Sequence, residues 1–197
     1  MKGVYVFLAE GFEDIEALAP VDILRRGGVD VRIVSISDDL LVTSSHGVSV
    51  CADMAAPEFL GELDACHSER SEGISSDDFL IFPGGMPGTR NLAGTDWLID
   101  LMNDHYASGG SVAAICAAPG FVLSQLDGIA GSRFTAYDGC ETPSVEAGGI
   151  YVPEGVVRDG RIITGRGAGW AVPFGLEILA AIKGADKAAA VKAGLML

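Results

Sequence analysis

Short apolar runs alternate with helical patterns at the start of the chain, and this alternation restricts the fold more than any other feature. Residues 3–9 are almost continuously apolar, which predicts a strand that is buried on both faces. Residues 12–26 carry apolar side chains at helical spacing, and glycines follow them. Residues 29–36 form a second apolar, β-branched run. A strand, a helix and a strand in this order predict parallel neighbouring strands joined by a right-handed crossover.

The same alternation continues to the end of the chain, so we expect an α/β sandwich with helices on both faces of a mostly parallel sheet. A polar, Ser/Glu-rich stretch at 64–77 has no periodicity and predicts an exposed surface insertion. Further strands are expected at 79–82, 111–115, 133–136, 155–157 and 161–164, helices at 97–106, 117–126, 171–182 and 185–193, and a small hairpin from 41–42 and 48–51.

Composition excludes several classes of protein. With 197 residues, of which 49% are apolar and 20% charged, the chain can bury one sizeable core, so we expect one domain over 1–197. A formal charge of −14 repels phosphate backbones and anionic membranes, so neither nucleic acid nor membrane is an expected partner. The first apolar run is too short for a signal peptide, and no run reaches the ~20 residues of a membrane span. We therefore expect a cytoplasmic protein.

One cysteine occupies a position that favours reactivity. Cys116 follows the predicted strand 111–115 directly and precedes a helix of small residues. The unpaired N–H groups and positive partial charge of a helix N-terminus favour a thiolate, and small neighbours allow a sharp turn. The alternative is a buried, inert cysteine. The other cysteines lack metal-ligand spacing, so we expect no metal; Cys51 and Cys140 are interpreted as packing residues, and Cys66 lies in the polar stretch.

Two other strand-to-helix turns are candidates, because sites in parallel sheets form at the carboxyl ends of strands. The turn PGGMPG at 83–88 offers glycine N–H groups that could hold an oxyanion, although a simple tight turn is the favoured explanation of the pattern alone. The turn at 10–16 contains four acids, which stabilise a helix N-terminus. One of them could hydrogen-bond the cysteine sulfur and carry a proton, but the pattern does not say which one.

Four ordered motifs carry a resemblance to a known family. The segments AEGFEDIEALAPVDILRRGG, FPGGMPGTRNL, AAICAAPGFVL and DGRIITGRGAG resemble the ThiJ/PfpI superfamily, in the branch of the Parkinson-disease-associated protein deglycase and its bacterial relatives. The resemblance implies a flavodoxin-like three-layer α/β/α sandwich, a homodimer and no cofactor. It also implies that Cys116 is the reactive cysteine and that Glu16 is the acid hydrogen-bonded to it.

The resemblance assigns further residues to the site. Gly84, Gly85 and Ala117 match the oxyanion and substrate pocket, together with Tyr137, which stands where branch members often carry histidine. Ala117 also replaces the histidine that follows the cysteine in the protease-like branch, which argues against a Cys-His peptidase. The accessory candidates are Arg26, Arg166 and His46. The two arginines match basic residues near the site and the dimer interface, and His46 is either a surface histidine or one that approaches across a dimer.

The resulting functional hypothesis is a cofactor-independent enzyme of the glyoxalase III or deglycase type. It would act on methylglyoxal or on early glycation adducts through a hemithioacetal on Cys116. The alternative is an oxidative-stress sensor or redox-regulated chaperone, for which peroxide should add two oxygens to Cys116 alone. Glutaminase-like amide chemistry is disfavoured, because no histidine follows Gly139.

Overall fold

A seven-stranded sheet forms the centre of the computed structural model, which describes the backbone of residues 2–68 and 75–197 and the side chains of 2–63 and 75–197. The strands of the central sheet lie in the order β10-β11-β7-β6-β1-β2-β5. Only β10, at one edge, is antiparallel to its neighbour. The seven strands are β1 (Val4–Leu8), β2 (Val31–Ser35), β5 (Met54–Ala55), β6 (Phe79–Phe82), β7 (Ser111–Ile115), β10 (Val156–Asp159) and β11 (Ile162–Gly165).

Two small strand pairs lie outside this sheet. The strands β3 (Leu41–Thr43) and β4 (Ser49–Cys51) form an antiparallel hairpin. The strands β8 (Arg133–Phe134) and β9 (Ile150–Tyr151) form a short parallel pair. The hairpin packs on the start of the first helix, because Ser45 N–H donates to Phe12 O at 2.8 Å. It therefore covers the turn that leads into that helix.

Helices cover both faces of the sheet and create two cores, because successive strand residues point to opposite faces. Val6 and Leu8 of β1 face the first core, with α1, α7 and α8, whereas Phe7 faces the second core, with α2, α4 and α5. The helices are α1 (Asp14–Arg26), α2 (Ala56–Ser68), α3 (Gly88–Ala93), α4 (Asp96–Ala107), α5 (Ala118–Phe121), α6 (Thr142–Glu146), α7 (Ala171–Lys183) and α8 (Ala185–Gly194). The predicted three-layer sandwich is confirmed.

The sequence missed short elements and one helix. The elements β5, β9, α3 and α6 were not predicted, because they are two to six residues long and too short for a periodic pattern. The 13-residue helix α2 was not predicted either. The helix predicted at 117–126 is only the four-residue α5, followed by a 3₁₀ turn at Leu123–Gln125. Within the predicted surface insertion at 64–77, residues 64–68 continue the helix α2, which the lack of periodicity did not predict. The remainder of the insertion from 69 to 74 lies outside the described residues, and residues 75–77 are exposed.

Strand order places the functional turns together. From β1 the chain moves to β2 on one side, and β6 later pairs with β1 on the other side. The connections after β1 and β6 run to opposite faces, which opens a crevice at the carboxyl ends of these two strands. In the described ranges, no helix has the length and apolar character needed to cross a membrane.

Candidate active site

Cys116 occupies a turn whose backbone is held from both sides. Its φ of 66° lies in the left-handed region, which is costly for a residue with a β-carbon. Its N–H donates to Gly165 O at 2.9 Å, and its carbonyl accepts from Tyr137 N–H at 2.8 Å. These bonds fix the turn between β7 and α5. The side chain consequently points away from the strand direction, into the crevice beside β6.

Glu16 reaches the same crevice from the first turn of α1. Its side chain is 1% exposed, and its carboxyl group hydrogen-bonds the thiol of Cys116. The N–H of Gly84 donates to Glu16 Oε2 at 3.1 Å, and the N–H of Ala168 also hydrogen-bonds this carboxyl group. Groups from four separate turns therefore meet at one buried acid.

The acid and the thiol hold their protons differently from free side chains. Burial raises the pKa of Glu16 to about 7, with a smaller contribution from the negative charge of Glu13. Burial, and then the charge of an ionised Glu16, raise the pKa of the Cys116 thiol. The two groups behave as a coupled pair, because ionisation of one opposes ionisation of the other. The pair therefore retains one shared proton over a wide pH range.

Two backbone N–H groups oppose the rise in the pKa of the Cys116 thiol. The N–H groups of Ala117 and Gly85 hydrogen-bond the Cys116 sulfur and lower the pKa of its thiol. These are the two donors that the resemblance assigned to the oxyanion pocket. The four-residue α5 is too short to supply the helix dipole expected from the sequence. Individual N–H groups, rather than a long helix, thus stabilise negative charge here.

Glycine is required at the two positions after β6, because neighbouring atoms lie too close to leave room for a β-carbon. A β-carbon on Gly84 would lie 2.6 Å from Cys116 Cβ, closer than non-bonded carbons allow. Gly85 has a φ of 92°, and a β-carbon there would lie 2.6 Å from Gly11 O. Any side chain at Gly84 would therefore separate the acid from the thiol.

Tyr137 forms part of the rim of the crevice. Its side chain is 55% exposed, and its backbone N–H is the group that donates to the carbonyl of Cys116. A β-carbon placed on Gly167 would lie 3.4 Å from the Tyr137 ring and 4.0 Å from Glu16 Oε1. The ring and the acid thus both lie close to Gly167, with the ring open to solvent.

Comparison with known proteins agrees with this geometry. The model of the DJ-1/PfpI family matches residues 2–181. A zebrafish (Danio rerio) Parkinson disease protein 7 homolog is 33% identical over 198 residues, which cover all of this chain and 97% of that protein. The chain belongs to the DJ-1/PfpI family.

Further relatives of this chain include a glyoxalase and two proteins of known structure. The glutathione-independent glyoxalase DJR-1.2 of Caenorhabditis elegans is 30% identical and covers 90% of this chain and 87% of its own. Among solved structures, DJ-1beta of Drosophila melanogaster has a TM-score of 0.84 and 31% identity over all of this chain and 98% of its own. Oxidized DJ-1 of Toxoplasma gondii has a TM-score of 0.82 and 29% identity, with the same coverage.

The accessory residues suggested by the family resemblance lie outside the crevice. Arg26 is at the opposite end of α1, about 15 Å along the axis from Glu16, and pairs with Asp22 at 2.7 Å. Arg166 forms a two-pronged ion pair with Asp138, at 2.7 and 2.9 Å. Neither arginine contacts the Cys116–Glu16 pair in the described contacts. Their suggested place at a dimer interface stays a prediction.

His46 lies nearer to the site than its position in the sequence suggests. Its Nδ1 hydrogen-bonds Asp14 Oδ2 at 2.7 Å, at the start of α1. Within the described ranges, Glu13, Asp14 and His46 bring one potential metal-ligand atom each within 4.8 Å of one another. Glu13 Oε2 already accepts from the Glu16 N–H, and His46 is engaged by Asp14. The cluster is therefore a hydrogen-bonded helix start rather than a prepared metal centre.

Sequence reasoning missed three site residues: Glu13, Gly167 and Ala168. Glu13 caps α1, and its side chain accepts from the backbone N–H of Glu16. An acid three residues before another acid at a helix start resembles a capping box, so a signal for Glu13 was present. Gly167 and Ala168 follow β11, in a glycine-rich stretch whose distance from Cys116 gives no signal in the sequence.

Proposed function

We propose that this protein is a cofactor-independent glyoxalase that converts methylglyoxal to lactate through a covalent adduct on Cys116. The observation that carries the proposal is the hydrogen-bonded Cys116–Glu16 pair with the N–H groups of Gly85 and Ala117 at the sulfur. Such an arrangement provides a nucleophile, a proton carrier and donors for a developing negative charge. The glyoxalase name of the C. elegans relative supports the same chemistry.

The first step forms a hemithioacetal. Glu16, as the carboxylate, takes the thiol proton while the sulfur of Cys116 attacks the aldehyde carbon of methylglyoxal. The carbonyl oxygen becomes negatively charged, and the N–H groups of Gly85 and Ala117 beside the sulfur would stabilise it. Glu16 then returns the proton to this oxygen, which completes the neutral hemithioacetal and restores the carboxylate. A standing thiolate is not required, because the acid with a pKa of about 7 accepts the proton as the bond forms.

The second step moves a proton within the adduct. Glu16 removes the proton from the former aldehyde carbon and returns it to the neighbouring ketone carbon, while the two oxygens exchange one proton. The product is a lactoyl thioester of Cys116, at the oxidation level of the substrate. Water then cleaves the thioester to give lactate and the free thiol. The overall balance is methylglyoxal plus water giving lactate, with no external oxidant or reductant.

The substrate is either the free dicarbonyl or its early adduct on a protein amine. The exposed ring of Tyr137 leaves one side of the crevice open to solvent, which admits an aldehyde carried on a larger molecule. In the described contacts, the hydroxyl group of Tyr137 is not among the groups hydrogen-bonded to Cys116 or Glu16. Proton movement is therefore assigned to Glu16 alone.

The test is a lactate assay with methylglyoxal on the wild type, Cys116→Ser and Glu16→Gln. We expect Cys116→Ser to lose at least about 100-fold in turnover with unchanged melting behaviour, because the weaker nucleophile cannot form the adduct. Glu16→Gln should lose a similar amount at neutral pH. Cys51→Ser removes an exposed thiol and serves as the matched control. Lactate formation by Cys116→Ser at the wild-type rate would contradict the mechanism.

The oxidation-sensor alternative gains less support from the structure. A sensor thiol reacts as the standing thiolate, and burial together with an ionised Glu16 opposes that form. The enzyme mechanism needs only transient deprotonation by Glu16. The pair therefore fits catalysis better than passive sensing.

We also propose that two copies of the chain associate, as the family resemblance implies. Apolar side chains on the β3–β4 hairpin and the adjoining start of α1 are exposed, among them Leu41 at 58%, Ile15 at 53% and Val48 at 49%. Burial of these groups against a second copy would be favourable. Light scattering should give twice the 20.3 kDa chain mass, and Leu41→Glu should shift it toward the monomer; a monomeric wild type at micromolar concentration removes this proposal.

A further inference from the structure

We propose that Glu13 is a positioning residue that sets where the shared proton of the Cys116–Glu16 pair resides. Its carboxylate binds the backbone of Glu16 and disfavours a second negative charge there, which leaves more of the charge on the sulfur of Cys116. The inference deepens the proposed function and names a residue that touches no substrate.

A closed ring of hydrogen bonds fixes Glu13 beside the pair. Its backbone N–H donates to Gly84 O at 2.9 Å, the Gly84 N–H donates to Glu16 Oε2 at 3.1 Å, and the Glu16 N–H donates to Glu13 Oε2 at 2.8 Å. The ring joins the turn after β1 to the turn after β6. Displacement of any one member therefore moves the acid, its cap and the neighbouring Gly85 N–H together.

The carboxylate of Glu13 acts on the pair through charge as well as geometry. Its negative charge raises the pKa of Glu16, after the larger effect of burial. When the pair holds one proton, that proton lies either on Glu16 with a thiolate or on Cys116 with a carboxylate. Glu13 accepts a hydrogen bond from the backbone N–H of Glu16, and its charge raises the pKa of that acid, whereas the pKa of the thiol is raised by burial and by Glu16. Its charge therefore favours the form with the thiolate.

Other titratable groups on the surrounding elements are engaged elsewhere. On the hairpin side, Glu10 accepts from Thr43 N–H at 2.9 Å, and Asp14 pairs with His46. On the β11 side, Arg166 is paired with Asp138, and the ring of Tyr137 lies at the rim. After burial, the charge of Glu13 is what raises the pKa of Glu16. Glu10 therefore offers a charge in the same turn as a control.

The experiment measures alkylation of Cys116 by iodoacetamide between pH 5 and 9, read by peptide mass spectrometry, with an added cysteine-containing peptide as the reference thiol. Glu13→Gln keeps an oxygen that can accept from the Glu16 N–H and removes the charge. At pH 8 we expect the rate at Cys116 in this variant, relative to the reference peptide, to fall about fivefold. The lower of the two pH midpoints in its alkylation profile should move down by roughly half a unit. Glu13→Asp, which keeps the charge and can cap the helix, should recover most of the rate.

The matched control is Glu10→Gln, which removes one charge from the same turn and should leave both the rate and the midpoint unchanged. An unchanged profile in Glu13→Gln, or an equal change in Glu10→Gln, overturns the inference. A loss in Glu13→Gln that Glu13→Asp does not restore also overturns it, since that result indicates shape rather than charge. The assay uses no aldehyde, so a failure to form lactate removes the proposed function and leaves this result standing.

Discussion

The two ends of the central sheet each bury one titratable side chain, and they use it differently. At the carboxyl ends, Glu16 is 1% exposed and faces a thiol and several backbone donors. At the amino ends, His105 is also 1% exposed, and its Nε2 lies 3.1 Å from both Asp78 O and Ser111 O. Glu16 therefore lies beside a thiol, whereas His105 joins α4 to the starts of β6 and β7. Burial alone therefore does not identify an active site.

The two ends of the sheet differ more clearly in the backbone conformation of their turns than in the burial of a titratable side chain. The turn at Cys116 holds a left-handed residue, and no β-carbon fits at Gly84. The turn before Ser111 has strict packing as well, since a β-carbon on Gly110 would strike the His105 ring. The difference is that, among the described residues, the carboxyl end directs backbone N–H groups at the sulfur of a cysteine. A cysteine in a left-handed turn, with backbone N–H groups directed at its sulfur, distinguishes the carboxyl end of the sheet from the amino end.

The largest expected effect comes from a side chain inserted between the acid and the thiol. Gly84→Ala should lower turnover of methylglyoxal by about 100-fold or more, because its β-carbon would push Glu16 away from Cys116. The matched control is Gly139→Ala, at a φ of 89° with open space around it. That variant should lose on the order of 1 kcal/mol of stability and keep its turnover. Equal turnover in both variants would show that contact with the pair is unimportant.

Replacement of Glu16 by Gln should raise the free energy of unfolding at neutral pH while it lowers turnover. The pKa of Glu16 is raised from 4.5 to about 7, so its contribution to stability is full below about pH 4.5 and is lost as pH rises through 7. Glu16→Gln removes this dependence. Chemical denaturation should show Glu16→Gln gaining roughly 2 kcal/mol relative to the wild type between pH 5 and pH 8, while its turnover falls. A constant difference across that range would mean that Glu16 is ionised in the folded protein throughout.

The smallest expected effect is the pH dependence at the other end of the sheet. Burial lowers the pKa of His105 below 6.5, so its contribution to stability is full above that value and is lost as pH falls. The free energy of unfolding should therefore decrease on acidification from pH 7 to 5, by at most about 1.4 kcal/mol per pH unit from this group. His105→Gln should flatten that slope without changing thiol alkylation. An identical slope in the variant would exclude His105 as its source.

The regular part of the fold followed from sequence patterns. The apolar runs at 3–9, 79–82 and 111–115 became β1, β6 and β7, because continuous apolar strands can only be buried between two helical layers. The helix α1 was recognised from its spacing and its terminal glycines. In contrast, the two-residue strand β5 and the short helices α3 and α6 form through tertiary contacts, which leave no local pattern.

The candidate site also combines features that the sequence predicted with features that depend on tertiary contacts. The cysteine at a strand end was a candidate nucleophile with an inert alternative. Family resemblance, rather than physical reasoning, favoured the reactive interpretation and chose Glu16 among four acids. Neither predicted that Glu13 caps Glu16 and hydrogen-bonds Gly84, nor that Ala168 donates to the acid. The contacts of Glu13 with Gly84 and of Ala168 with Glu16 join residues that are far apart in the sequence, and only the packing of separate strand ends brings them within hydrogen-bond distance.

For Cys116, the sequence by itself determined that a thiol stands at the end of a buried strand, since that depends on local hydrophobic pattern alone. Only the tertiary structure decided its protonation. The helix that was expected to favour a thiolate is four residues long, and burial raises the pKa of the thiol instead. Proton affinity depends on solvent exclusion and on charges brought from distant turns, and these exist only once the chain has folded.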